Sequence, residues 1–449
     1  MKAKRKPMPV SRLTALAFLG VILLGTILLM LPVSSRDHRS CGLLTAMFTA
    51  VSSTCVTGLS LVDTWTQWSA FGQCVLLCII EIGGMGFMSI ASLFIFGLRQ
   101  RVGMEQRLIM AAALGRSGGG GAVHFQQRLL GVCLITQGSG ALILTLHFLP
   151  EFGLARALQL GVFHACSAFC NAGFDIFGFR GPGSSLITFS SDPVVLLVLA
   201  AMVIIGHTGF LVWDELLERK PWKRLSVYTR LVLVTNTALL LGGMVLICLA
   251  EWSNPGTLGP MSWPEKLLNG FFQSVTARTA GFASIDQASL TEAGKGITDV
   301  LMLIGGSSGS TAGGLKTVTF VIILLYLHSR LHGCNQVAVF KRSINHSQIE
   351  NAMTLCGMMV LLSFIGALVI TGTTPGVSLG DALYEAISAI ATVGVTCGVT
   401  PGLSVAAKLM LMLYMYFGRV GLLTLSLGFL QGNPAAQGYS YAETELLIG

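Results

Sequence analysis

Eight long apolar runs organise the chain, at about 13–32, 71–98, 129–149, 193–213, 229–250, 298–328, 352–372 and 405–430. Each reaches roughly 20 residues, the length an α-helix needs to cross a ~30 Å hydrocarbon core. The runs come in pairs, and between the members of each pair lies a shorter amphipathic stretch, at about 42–53, 156–168, 264–275 and 379–391. A polar, glycine-bearing segment follows each short stretch. These stretches are too short to span, which predicts helices that enter from one side, stop part-way and return as loops. The predicted unit is span, short helix, glycine loop, span.

The four loops carry Val56-Thr57-Gly58, Asn171-Ala172-Gly173, Thr279-Ala280-Gly281 and Thr392-Val393-Gly394. Successive glycines are 115, 108 and 113 residues apart, a near-constant period that predicts internal repetition, with units over 1–110, 111–222, 223–345 and 346–449. Two spans per unit bring each unit back to the same side, so the repeats are parallel and share an axis along the membrane normal. The expected fold class is an all-α polytopic membrane protein with four parallel repeats arranged pseudo-fourfold around one central pore.

Composition sharpens the class. Of 449 residues, 53% are hydrophobic and 11% charged, with a mean hydropathy of +0.74. A soluble domain carries about 25% charged residues, so a water-soluble enzyme is excluded. Glycine is abundant, at 54 residues, and non-helical backbone is tolerated at membrane depth only where protein or a water-filled path surrounds it. The net charge of +8 reads as topology rather than as nucleic-acid binding. With cytoplasmic N- and C-termini, 18 of the 28 basic residues fall on inner segments, seven on outer segments and three, Arg278, Lys316 and Arg419, at membrane depth. That orientation opens all four glycine loops outward. The basic start, Met1 to Arg12, leads into a run that reaches about Leu31 without a cleavage-site pattern, and is read as a retained first helix. The eleven cysteines lie mostly in apolar runs without metal-ligand spacing.

Loops that climb back toward one axis present backbone carbonyls, and rings of carbonyl dipoles can replace the hydration shell of a monovalent cation. Glycine admits the backbone angles this needs and lets the strands crowd together. Asp63, Asp175 and Asp286 follow the first three glycines. They either concentrate cations at an outer mouth or cap loops that face water. The sixth run is broken by Gly305, Gly306, Ser307, Ser308, Gly309, Ser310, Thr311, Ala312, Gly313 and Gly314, ahead of Leu315 and Lys316. At ~1 kcal/mol lost per interior glycine, this stretch predicts a loop inside the bundle. It superficially imitates a phosphate-binding loop, but Leu315 separates Gly314 from Lys316 and no strand precedes it.

The strings SAFCNAGF (167–174), TARTAGF (276–282), VTGL (56–59), TVG (392–394) and GGSSGSTAGGLK (305–316) resemble the membrane subunit of the bacterial Ktr/Trk potassium-uptake systems. The similarity covers nearly the whole chain, and eight spans resemble the Ktr type more than the longer Trk type. The resemblance implies channel-like K⁺ uptake across the bacterial inner membrane, with one filter glycine per repeat and K⁺ held at backbone carbonyls. It implies no enzymatic activity and no covalently bound cofactor. A homodimer seated on a cytosolic nucleotide-binding regulatory ring is also implied, with Na⁺ coupling or stimulation in some members and nucleotide acting only through that partner. The loop at 305–316 corresponds to a gate under the filter, and Arg419 to an arginine in the cavity below it.

Arg419 is expected to meet Glu81 or a backbone carbonyl. Arg278 is expected to brace its loop from behind, and Lys316 to neutralise carbonyls or an acid, or else to snorkel. His164 and His207 read as packing and hydrogen-bonding residues. Gly83, Gly84 and Gly86 read as close helix packing, and residues 115–122 as a flexible linker. Two other classes compete. An alternating-access secondary transporter fits parallel repeats poorly, and a membrane enzyme acting on a lipid phosphate requires a cluster of His, Asp or Glu at one depth that the sequence lacks.

Overall fold

The computed structural model describes residues 10–86, 122–334 and 336–421. The glycine-rich segment at 115–121, the end of the second apolar run and the stretch beyond 421 lie outside the described residues. The first unit runs α1 (Val10–Met30), α2 (Leu43–Thr54), α3 (Thr64–Gln67) and α4 (Ala70–Met85). In the second, α5 (Ala122–Cys170) holds Pro150 and turns at Gly153, where φ is 72°, so one element serves as both span and short helix; α6 (Pro193–Thr208) and α7 (Phe210–Leu217) follow. The third comprises α8 (Val227–Glu251), α9 (Trp263–Thr276), α10 (Glu292–Leu303) and α11 (Thr317–Leu331). A two-stranded hairpin, β1 (Ala338–Val339) with β2 (Arg342–Ser343), leads into α12 (His346–Thr373), α13 (Leu379–Ile390) and α14 (Val405–Val420).

Side chains fix where the returning helices begin. Ser69, Asp192, Thr291 and Ser404 each accept a hydrogen bond from a backbone N–H in the first turn of α4, α6, α10 and α14. Such caps contribute about 1 kcal/mol each and satisfy donors that a helix end otherwise leaves open. The far ends are set by glycine. Gly86, Gly209 and Gly421 follow α4, α6 and α14 with φ of 81°, 97° and 95°, left-handed values that stop a helix.

Among the described residues, the apolar runs do not form uniform spans. Among the described residues, the helices long and apolar enough to cross unaided are Arg12–Met30, Phe125–Cys170, Val227–Glu251 and His346–Thr373. The two partner runs that are described whole, 193–213 and 298–328, are broken. The run at 193–213 bends by 94° between α6 and α7, because Phe210 donates its N–H to Gly309 O at 2.9 Å and so follows the 305–316 loop instead of continuing the helix. The run at 298–328 is interrupted, as its glycines require, between α10 and α11.

The units close on one another. α4 packs on α5, α6 on α9, α10 on α13 and α14 on α2, so each returning helix meets the next unit and the last meets the first. The short helices are the interior of this arrangement: in α13, Ala382 and Tyr384 through Ile390 are all buried. The outer faces of the long helices carry exposed Leu23, Ile135, Leu249 and Leu368, the surface a hydrocarbon solvent requires.

Candidate functional site

At the end of each short helix the backbone repeats one conformation. Val56, Asn171, Thr279 and Thr392 take φ of 56°, 58°, 69° and 52°, and the glycines two residues later take 101°, 69°, 86° and 97°. Left-handed angles at Val or Thr cost on the order of 1–3 kcal/mol each, so packing must impose them. The glycines make contact in sequence. A Cβ on Gly58 would sit 2.7 Å from Ala172 O, one on Gly173 would sit 2.9 Å from Ala280 O, and one on Gly281 would sit 2.8 Å from Val393 O. At Gly394 it would overlap Thr57 O outright. The glycine of each loop thus lies against the carbonyl before the next glycine, and the fourth loop returns to the first.

Hydroxyls in the last turn of each short helix hold the loops. Ser52 Oγ accepts from Gly58 N at 3.1 Å and Ser388 Oγ from Gly394 N at 3.0 Å. Ser167, Thr276 and Ser388 donate to Phe174 O, Phe282 O and Val395 O at 2.7, 2.6 and 2.7 Å. Sequence reasoning missed these residues, although registering the loops on their glycines places a serine six positions upstream in three of them and Thr276 five upstream. From beneath, Gly83, Gly206 and Gly418 touch the carbonyls of Thr54, Phe169 and Ile390, each four residues before a loop glycine. A side chain there would drive the returning helix off the short helix, which gives Gly83 a more specific task than general helix packing.

The 305–316 loop packs on residues that precede the ring glycines. Gly313 abuts the Thr392 hydroxyl, Thr311 Oγ1 donates to Phe169 O at 3.2 Å, and Ser307 N donates to His207 O at 3.0 Å. Ser308 O accepts from Tyr228 Oη at 2.8 Å. Lys316 Nζ donates to Ala312 O at 2.8 Å, and Leu315 N to Leu303 O at 3.1 Å. Arg419 is half-buried, and its guanidinium donates to Thr311 O, Gly83 O and Gly84 O. Glu81 is not its partner: the carboxylate accepts from Gln137 Nε2 at 2.7 Å. Carbonyl dipoles at the end of α4 already face Arg419, leaving Glu81 to Gln137 on α5.

Arg278, fully buried, donates to Asn236 Oδ1 at 2.8 Å, Gly305 O at 3.1 Å and Thr317 Oγ1 at 3.3 Å. It braces the root of the 305–316 loop. Asn236, not singled out from sequence, orients it. Replacing Asn236 by leucine leaves a buried guanidinium short of an acceptor, and is expected to destabilise the protein by about 2–3 kcal/mol. A lowered melting midpoint of the detergent-solubilised variant checks this; an unchanged midpoint contradicts it. His164 Nδ1 donates to Leu160 O at 2.7 Å and Nε2 accepts from Ile176 N at 3.2 Å, while His207 Nδ1 donates to Val203 O at 3.3 Å.

Outside the ring, a cavity of about 380 Å³ is lined by all four glycines and by Asp63, Asp175 and Asp286. The aspartates also hold loops. Asp63 accepts from Thr66 N at 2.8 Å and Gly183 N at 3.0 Å, Asp175 from Phe177 N at 3.1 Å, and Asp286 from Ala288 N at 3.1 Å. Burial pushes the Asp175 carboxyl up to about 6, and the Asp63 carboxylate adds to the rise. The cap reading is met by all three aspartates, which also line the outer cavity.

The TrkH family, described as cation transport protein, matches residues 11–439. The potassium/sodium uptake protein NtpJ of Enterococcus hirae is 37% identical over 100% of this chain and 99% of its own length. The Ktr system potassium uptake protein B of Bacillus subtilis is 37% identical over 97% of this chain and 96% of its own. The crystal structure of the potassium transporter TrkH from Vibrio parahaemolyticus superposes with a TM-score of 0.73 at 16% identity, covering 97% of this chain and 86% of that one. At that identity the likeness speaks for the fold.

Proposed function

Since the chain belongs to the TrkH family of cation transport proteins, we propose that it takes up K⁺ through a pore whose filter is the ring of glycine loops. The protein is a multi-pass membrane transporter of cations. One observation carries the finer reading: Gly58, Gly173, Gly281 and Gly394 each touch the preceding carbonyl of the next loop in cyclic order. Such closure gathers Thr57, Ala172, Ala280 and Val393 carbonyls around one axis, the arrangement that replaces water around a monovalent cation. The four units are then pseudo-fourfold repeats in an inner membrane, with both termini cytoplasmic. The 305–316 loop, tied down by Arg419 and Arg278, gates the path below the filter. Homodimerisation and control by a cytosolic nucleotide-binding ring complete the reading, and Na⁺ is the second ion to test.

Purified protein in liposomes decides the matter: a K⁺ gradient should drive ⁸⁶Rb⁺ entry, with and without a cytosolic partner. No flux in either state sinks the proposal. The outer acids add a pH signature. Asp175 is ionised above about 6 and neutral below, so its pull on cations is present at neutral pH and lost on acidification. Uptake from low K⁺ should fall as external pH drops through about 6, and Asp175→Asn should flatten that fall. An identical pH profile in the variant removes Asp175 from the mouth.

A further inference from the structure

The fourth loop carries no acid after its glycine, yet one stands behind it. Glu385 on α13 is fully buried, and among the described residues it makes no ion pair. Its Oε1 accepts from Cys397 N at 3.1 Å and from the Thr396 hydroxyl, and its Oε2 accepts from Thr400 Oγ1 at 2.7 Å. Taking a carboxylate out of water without a cation is expensive unless hydrogen bonds replace hydration. Three donors converging from one loop do so, and in return the loop is tied to the short helix.

The position recurs in one other unit. Glu385 lies nine residues before Gly394 and grips the N–H three residues after it; His164 lies nine before Gly173 and grips Ile176 N, again three after, at 3.2 Å. The donor bond from His164 Nδ1 to Leu160 O leaves Nε2 as the acceptor this requires. The first unit has Thr49 at that position, with its hydroxyl unpaired. In the third, Phe272 lies nine before Gly281, and the adjacent Gln273 bonds Gln287 instead. The gripped loops are the second and the fourth, which stand opposite each other in the ring.

We infer that Glu385 is a positioning residue that sets discrimination between K⁺ and smaller cations, by fixing the fourth loop so that its carbonyl cannot follow an ion inward. This rests on the proposed filter. A loop that relaxes toward a smaller ion solvates Na⁺ as readily as K⁺, so rigidity behind the loop is selectivity in front of it.

The test is the ratio of ⁸⁶Rb⁺ to ²²Na⁺ uptake in one liposome batch, which does not depend on how much protein folds. Glu385→Leu removes the grip and should lower the ratio about tenfold, the scale of one lost charge-assisted hydrogen bond. Glu385→Gln keeps an oxygen for Cys397 N and an amide for Thr400 Oγ1, and should stay within about twofold of the parent. If Glu385→Leu does not fold, Thr400→Val removes one donor and should shift the ratio about threefold. A parent-like ratio in whichever of these two variants folds overturns the inference, even when total uptake falls. Absence of ⁸⁶Rb⁺ flux in the parent would instead indict the filter itself.

Discussion

Gly394→Ala is expected to reduce K⁺ uptake by about two orders of magnitude. Alanine at φ 97° already carries on the order of 1–3 kcal/mol of strain. Its methyl would also overlap Thr57 O, a backbone atom that has no rotamer to move away by. Gly58→Ala is milder, because its methyl would approach Ala172 O at 2.7 Å. Gly376 supplies the control: its φ is 86° but nothing lies within 4 Å of a Cβ there, so alanine adds strain without touching the ring. ⁸⁶Rb⁺ uptake normalised to purified protein should rank parent and Gly376→Ala well above Gly58→Ala, and that above Gly394→Ala. Equal loss at Gly376 and Gly394 would assign the effect to backbone strain and not to the ring.

Arg419→Gln is expected to raise unregulated uptake about tenfold. Its guanidinium is the only described group that joins Thr311 of the 305–316 loop to Gly83 and Gly84 at the end of α4. Glutamine is too short to hold all three carbonyls. The substitution also deletes a positive charge from beneath the proposed cation path, and the two effects act in the same direction. Flux measured without any cytosolic partner isolates the change, and a parent-like rate would show that the loop is held elsewhere, as by Tyr228 on Ser308 O.

The signals legible in sequence were those that a single stretch of chain determines. Apolar length located the long helices, and the spacing of Gly58, Gly173, Gly281 and Gly394 located loops that meet in space. The 305–314 glycines announced a break that does occur. What escaped was fixed by partners distant in sequence. The bend at Gly209 falls within the run at 193–213 and is dictated by Gly309 O, a hundred residues on. Arg419 had an acid and a carbonyl as candidate partners, and only the approach of α4 decides for the carbonyls of Gly83 and Gly84. Glu385 gives no signal in the segment after its glycine, because it precedes Gly394 by nine residues and faces protein. Gly83, Gly206 and Gly418 look like ordinary helix glycines until the short-helix carbonyls beneath them are placed.

The closure of the glycine ring within one polypeptide has a genetic consequence. In an assembly of four identical chains, any substitution in the ring is stamped on all four positions together, and most such changes are lethal to the site before they are informative. Here every ring position is encoded separately, so one codon alters a quarter of the ring and leaves three quarters as reference. Natural drift can therefore try an asymmetric ring in small steps, and a library of single, double and triple substitutions can titrate the same site by degrees.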